Sequence, residues 1–474
     1  MNRNTSSLLR RPLATALLVA LLAPGAAFAE TAKEKALEAR VAELERQVQL
    51  LLSTQQQQQS QIATTQQQVT QVQSAQAATP AAPATATAPA APAGKQPIQS
   101  TTIMTAANPG TTFSFGGFIK LDAMVTDTSD GRITDGSSGR MFYVPSTIPV
   151  AGAGADGGDP YTDFHAQFSR FWLGADHVTD DGDKIKAYVE MDFFGGGSNA
   201  LAGNEIATNT HAVTLRQAYV SWNNWLAGQT WSNFQDTASL PDAVDFVGVT
   251  DGTVFVRQAQ VRYTSGPWSF ALENPNTTVQ AYAPNALAAG ARTTTGDNSV
   301  PDLTGRYNMK GDWGHLSIAG LLRQFKSAGN TDNGAAISVS GKFNLGSADD
   351  IRYMANYGNG IGRYMAFGLG SDVMQDGTGD IEALTGWGGF VAWRHVFTPK
   401  LRGNLMYSAA AFDNDVALVG WGVTERSQSY HANLIYSPFP KLDIGAEIGW
   451  GQRSLEDERQ GELKRVQTHV KYSF

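Results

Sequence analysis

From Thr112 onward, apolar and polar residues alternate with a period of two, the mark of strands with one greasy and one wet face. The opening stretch sets Phe113, Phe115, Ile119, Leu121 and Val125 against Ser114, Lys120 and Asp122. Similar segments recur through residue 474, and sixteen are legible: 113–126, 164–177, 184–195, 212–222, 225–233, 254–264, 268–282, 302–310, 314–327, 335–345, 349–358, 386–397, 400–413, 425–436, 441–453 and 462–474. Short turns such as 179–183, 265–267, 311–314, 398–400 and 437–440 alternate with long loops such as 127–163 and 359–385. Transmembrane barrels have this asymmetry, with short periplasmic turns and long outer loops. The pattern predicts an all-β transmembrane barrel of about 16 antiparallel strands. A soluble sandwich would leave the loop asymmetry unexplained.

Composition agrees. The chain has 49 Gly, 10 Trp, 14 Tyr and 22 Phe, yet its mean hydropathy is −0.24, as a barrel with a lipid-facing outside and a wet inside requires. The apolar run Leu13 to Leu22 is too short to span a bilayer, and no later stretch approaches the roughly 20 apolar residues of a membrane-spanning helix. Cysteine is absent, which removes disulfides, thiolate metal sites and cysteine nucleophiles together. A net charge of −8 argues against a nucleic-acid partner.

Four segments follow. Residues 1–29 have the order of a signal peptide: Arg10 and Arg11, an apolar run Leu13 to Leu22, then Ala27-Phe28-Ala29. Residues 30–76 form an expected α-helical coiled-coil extension in the periplasm, with Leu37, Val41, Leu44, Val48, Leu51, Ile62, Val69 and Val72 on a heptad seam. The string Arg40 to Glu45 resembles a trimeric coiled-coil motif, which favours a homotrimer; a polar, Gln-rich helix in solution is the alternative. Residues 77–112 are a Pro/Ala-rich linker. Residues 113–474 are the barrel, predicted to sit among outer-membrane lipids. Its last segment ends on Phe474 and looks like the signal read by the outer-membrane assembly machinery.

With the apolar face given to lipid, the other face lines the interior. Lys120, Arg170, Arg216, Arg262, Arg306, Arg323 and Arg352 then face inward, as do Lys186, Arg402, Arg465 and Lys471. The inward acids are fewer: Asp122, Glu190, Asp192, Asp443 and Glu447. Arginine and lysine along a narrow channel favour carboxylates and phosphates, so the first seven are the candidate binding residues for small anionic solutes. Because lumen groups should contact water, replacing Arg170, Arg216 or Arg262 is expected to alter selectivity and spare stability. The opposing possibility is that each arginine is neutralised by a nearby carboxylate. The loop 234–252 carries Asp236, Asp242, Asp245 and Asp251 between Leu240, Val244 and Phe246. Two placements suit it: against the inner wall, narrowing the channel, or at a contact between subunits.

The chain resembles the DcaP-like outer-membrane porins. The likeness is carried by the order of coiled coil, Pro/Ala spacer and barrel, by Phe113 to Asp122, and by Ser169-Arg170-Phe171-Trp172. It continues in Leu215 to Tyr219, Leu226 to Trp231 and Val256 to Tyr263. The resemblance implies a trimer of sixteen-stranded barrels that takes up dicarboxylates and similar anions. It makes Arg170, Arg216 and Arg262 the first positions to inspect for anion contacts.

Passive anion diffusion is the leading function. A structural tether, linking the barrel to the periplasm or cell wall through the coiled coil, is the alternative. The seven histidines are scattered over different segments without metal spacing or a nucleophile constellation. No catalytic residue, cofactor or metal is therefore expected.

Overall fold

The computed structural model describes residues 110–151, 157–195, 209, 211–365 and 367–474. The expected signal peptide, the coiled coil and nearly all of the linker lie outside these residues. No described helix is long and apolar enough to cross a membrane.

Sixteen strands, counted among the described residues, form one closed antiparallel barrel. They are β1 (Thr111–Thr128), β2 (in two pieces, Tyr161–His165 and Arg170–Val178), β3 (Lys184–Gly195), β4 (Ala212–Trp222), β5 (Trp225–Trp231), β6 (Arg257–Ser265), β7 (Trp268–Glu273) and β8 (Asp302–Gly311). The circuit continues through β9 (Gly314–Ser327), β10 (Asn330–Leu345), β11 (Asp349–Asn359), β12 (Thr385–Thr398), β13 (Leu401–Phe412), β14 (Thr424–Tyr436), β15 (Leu442–Leu455) and β16 (Gln460–Ser473). β16 pairs back onto β1 from Phe118↔Ser473 to Thr128↔Leu463, which closes the ring. Each of the sixteen segments read from the sequence has its strand.

Three boundaries need correction. The second segment is interrupted at 166–169, where Phe168 turns inward and is fully buried. The seventh, expected to reach 282, leaves the barrel after Glu273. Pro275 has no N–H to donate to the ladder, and the chain re-forms as Thr277–Gln280 in a separate four-stranded sheet with Arg292–Thr295, Val373–Gln375 and Ile381–Ala383. The tenth begins five residues early, at Asn330, because Asn330 to Gly334 extend the ladder with β9.

The outer surface carries Leu173, Val220, Phe270, Leu322, Ile337, Leu405, Leu434 and Ile448, all exposed and apolar. At the short-turn end, Trp222, Trp225, Tyr263, Trp268, Trp313, Phe343, Phe397 and Tyr436 are exposed beside the turns. Such an aromatic girdle belongs at a membrane–water interface, where rings with an apolar body and a polar edge are most stable.

Candidate permeation pathway

Two loops fold into the barrel and decide what space is left. The first joins β5 to β6, and its 234–252 stretch lies against the inner wall, the first of its two expected placements. Asp236 lies 2.8 Å from His315 of β9 and accepts from Ser340 of β10 at 3.1 Å. Arg352 of β11 donates to the Leu240 carbonyl at 2.5 Å, and Arg402 of β13 pairs with Asp242 at 2.5 Å. Glu447 of β15 accepts from the Val244 N–H at 2.8 Å, and Lys120 of β1 donates to the Val244 carbonyl at 2.8 Å. The loop then turns back. Asp251 accepts from Tyr143 at 2.9 Å and from Ser429, while the Gly252 N–H donates to Ser408 at 2.9 Å. Gly252 is needed there: a Cβ would fall 1.9 Å from the backbone nitrogen of Gly389.

Burial sets the chemistry of this loop. It holds the Asp245 and Asp251 carboxyls above the ordinary carboxylate range, with the Glu447 charge adding to the effect at Asp245. Burial and then the neighbouring Asp251 push the Tyr143 phenol well up, so Tyr143 stays a donor to Asp251.

The second inward loop joins β11 to β12. Phe255 N–H donates to the Tyr364 carbonyl at 3.0 Å, and Val254 bridges to Met365. This zips the second loop to the returning arm of the first. Around the junction lies the largest apolar core of the molecule, including Phe234, Val249, Val254, Met354, Ile361, Met365, Phe390, Met406 and Phe412. Part of the interior is therefore solid.

The seven predicted residues all come to the inner side, but they separate into two groups. Arg216 is 1% exposed and pairs with Glu190 at 2.7 Å and Asp192 at 2.6 Å; its guanidinium also stands over the Trp231 and Phe246 rings. Arg323 is buried between Asp302 at 3.2 Å and Asp372 at 2.6 Å, and also binds the Gly360 and Asn276 carbonyls. Lys120 is buried beside Asp122 at 2.8 Å. These three are cross-braces, and the expectation that Arg216 contacts water is corrected by its burial.

The other four are partly exposed. Arg170 lies 3.8 Å from Glu190, and Arg352 pairs with Asp350 at 2.9 Å. Among the described residues, Arg262 and Arg306 form no ion pair. Arg262 donates to Gln260 at 2.6 Å and the Trp231 carbonyl at 2.5 Å, and Arg306 to the Gln235 carbonyl. Arg306 Nε is left with no partner among the described residues. Both face the interior across β7, where Arg262 is opposite Ala271 and Arg306 opposite Ser269.

Several inward acids were not picked out in the sequence: Asp163, Glu273, Asp302 and Asp350, each buried. They stand at strand ends or beside a misjudged boundary, where alternation has no neighbours to define a face. They also reduce the basic excess of the wall. Arg363 and Arg394 were missed as well; they pair with Asp302 at 3.2 Å and Asp350 at 2.7 Å. Among the described residues, no cluster of His, Asp and Glu could hold a metal ion.

A family model described as DcaP outer membrane protein matches residues 135–474. The chain is similar to the outer membrane channel DcaP of Acinetobacter baumannii, with 25% identity, a TM-score of 0.63, and 78% of this chain and 99% of that one covered. It is more distantly similar to an anion-selective porin from Comamonas acidovorans, with 10% identity, a TM-score of 0.48, and 77% and 100% covered. Comparison with curated protein sequences gave no match.

Proposed function

The chain belongs to the DcaP outer membrane protein family, and from that premise we propose that it is a porin through which small anions, dicarboxylates foremost, diffuse passively. Its family relatives are outer-membrane channels and not enzymes. The observation that carries the anion reading is the pair Arg262 and Arg306, half-buried, facing the interior and free of ion pairs among the described residues. A guanidinium in a narrow, poorly screened passage attracts carboxylates and offers them a fork of donors. Arg170 and Arg352 extend the strip, with their charge partly offset by Glu190 and Asp350. Lys120, Arg216 and Arg323 act behind it by holding the loops that shape the passage.

The test is a planar bilayer with a salt gradient. The reversal potential should show chloride favoured over potassium, and a small dicarboxylate added to either side should block the chloride current. Cation preference would reject the anion reading.

The same proposal covers the segments outside the described residues. Residues 1–29 would be removed on export, 30–76 would associate as a three-stranded coiled coil in the periplasm, and 77–112 would space it from the barrel. Light scattering in mild detergent should then give a trimer, and a monomer would count against the coiled-coil assignment.

A further inference from the structure

Six phenylalanines from separate parts of the chain meet inside the barrel. The Phe142 ring lies 5.9 Å from Phe168, 5.7 Å from Phe194, 5.4 Å from Phe246 and 5.0 Å from Phe367, each edge-on. Phe168 stacks on Phe246 at 4.2 Å, and Phe367 reaches Phe255 at 5.0 Å. Phe142 and Phe168 are fully buried. The origin of these rings matters more than their number. Phe142 is carried by the loop joining β1 to β2, and Phe367 by the loop joining β11 to β12. In the closed ring, four strands separate these two pairs on one side and eight on the other. The contact therefore runs across the interior and not along one wall. A water-filled lumen is ordinarily lined by polar groups, whereas an apolar constriction stops ions by excluding water.

Phe367 is also held unusually. Its φ is +53°, in the left-handed region that bulky side chains rarely adopt. Arg292 donates to the carbonyls of the two glycines that follow, Gly368 and, at 2.8 Å, Gly370. Ring contacts and an arginine clasp thus keep the side chain in place on a backbone that would relax if it left.

We propose that Phe367 is the moving leaf of a dry gate: seated against Phe142 and Phe255 it shuts this route to hydrated ions, and withdrawn it opens the route. The inference rests on the chain being a diffusion channel and not on its charge preference.

The absence of cysteine makes the test clean. In the F142C/F367C variant, bridging the two thiols with a short bifunctional methanethiosulfonate should lower single-channel current about tenfold or more, and dithiothreitol should restore it. F367A without reagent should lengthen the open times. A bridged channel, with the link verified by mass, that conducts as well as the reduced one would overturn the gate. So would F367A with wild-type open times. The second variant decides the matter if the first does not assemble, and the reversal potential in the same records reports separately on anion preference.

Discussion

The ammonium of Lys120 donates to the carbonyl of Val244 at 2.8 Å, tying β1 to a loop that begins more than a hundred residues later in the chain. The same ammonium pairs at 2.8 Å with the fully buried Asp122. Lys120→Met removes both contacts and leaves only His469, at 3.1 Å, on the Val244 carbonyl. Abandoning a buried carboxylate costs about 3–5 kcal/mol. The variant should unfold at lower temperature in heat-modified gel migration and show a noisier open current. Wild-type behaviour in both measurements would mean that the loop is held without Lys120.

Arg216→Ala should damage the barrel more than its selectivity, because it strands Glu190 and Asp192 in the interior. The expected loss is again about 3–5 kcal/mol, seen as reduced assembled protein. The triple variant R216A/E190Q/D192N should recover much of it, since the stranded charges are then gone. No recovery would show that the packing of Arg216 on Trp231 and Phe246 matters more than its charge.

Arg262→Ala and Arg306→Ala should do the reverse. Neither residue forms an ion pair among the described residues, so the stability cost should be that of the lost carbonyl hydrogen bonds at Trp231 and Gln235, about 0.5–1.5 kcal/mol each. An interaction of about 1–2 kcal/mol per arginine corresponds to a roughly five- to thirtyfold loss of dicarboxylate block. Titration of block in a planar bilayer measures it. Unchanged block in the double variant would move the binding strip elsewhere on the wall.

The loop should tighten on mild acidification. Asp245 and Asp251 have folded pKa values above those of the unfolded chain, so between the two the native state binds more protons and stability falls as pH rises. The window opens above the ordinary carboxylate range and closes as pH passes the raised values. Lowering the pH into it should slow proteolytic cleavage of the 234–252 loop, and D245N/D251N should flatten that dependence. Faster cleavage in the unmodified protein at the lower pH would contradict the sign.

The barrel was legible because alternation is a local property: Ile119, Leu121 and Val125 face lipid for the same reason in the sequence as in the fold. Strand ends were less so, as at Glu273, after which Asn274, Pro275 and Asn276 interrupt the alternation and Val279 resumes it out of phase, in a strand of the separate sheet. The facing of the arginines was readable, but their neutralisation was not. Arg216 meets Glu190 and Asp192 only through the pairing of β3 with β4, which a bulge shifts by one residue between Glu190 and Met191. The apolar residues of 234–252 hinted at an inserted loop. Those of the β11–β12 loop, Met365, Leu369 and Met374, have no period, and their burial depends on chain far away in sequence.

At the seam, the Phe474 ring lies 5.9 Å from Phe171 and 6.5 Å from Phe115, and its N–H donates to the Gly117 carbonyl at 3.0 Å. Phe474→Ala should slow the appearance of heat-resistant barrel in a pulse-chase experiment, because ring contacts of about 0.5–1.5 kcal/mol each are lost where the first and last strands join. An unchanged rate would mean that backbone pairing alone closes the seam.

That seam has a further consequence for the life of the chain. β1 comes first of the barrel strands in the chain, and its partner β16 follows every other strand, so one edge of β1 stays unpaired until the last strand docks. An open edge of this kind invites pairing with other chains. A chain broken off anywhere before β16 could not satisfy it, and would stay exposed to proteases and holding chaperones. The closing pair thus acts as a completeness check: only a polypeptide translated through its final strand can bury its own beginning.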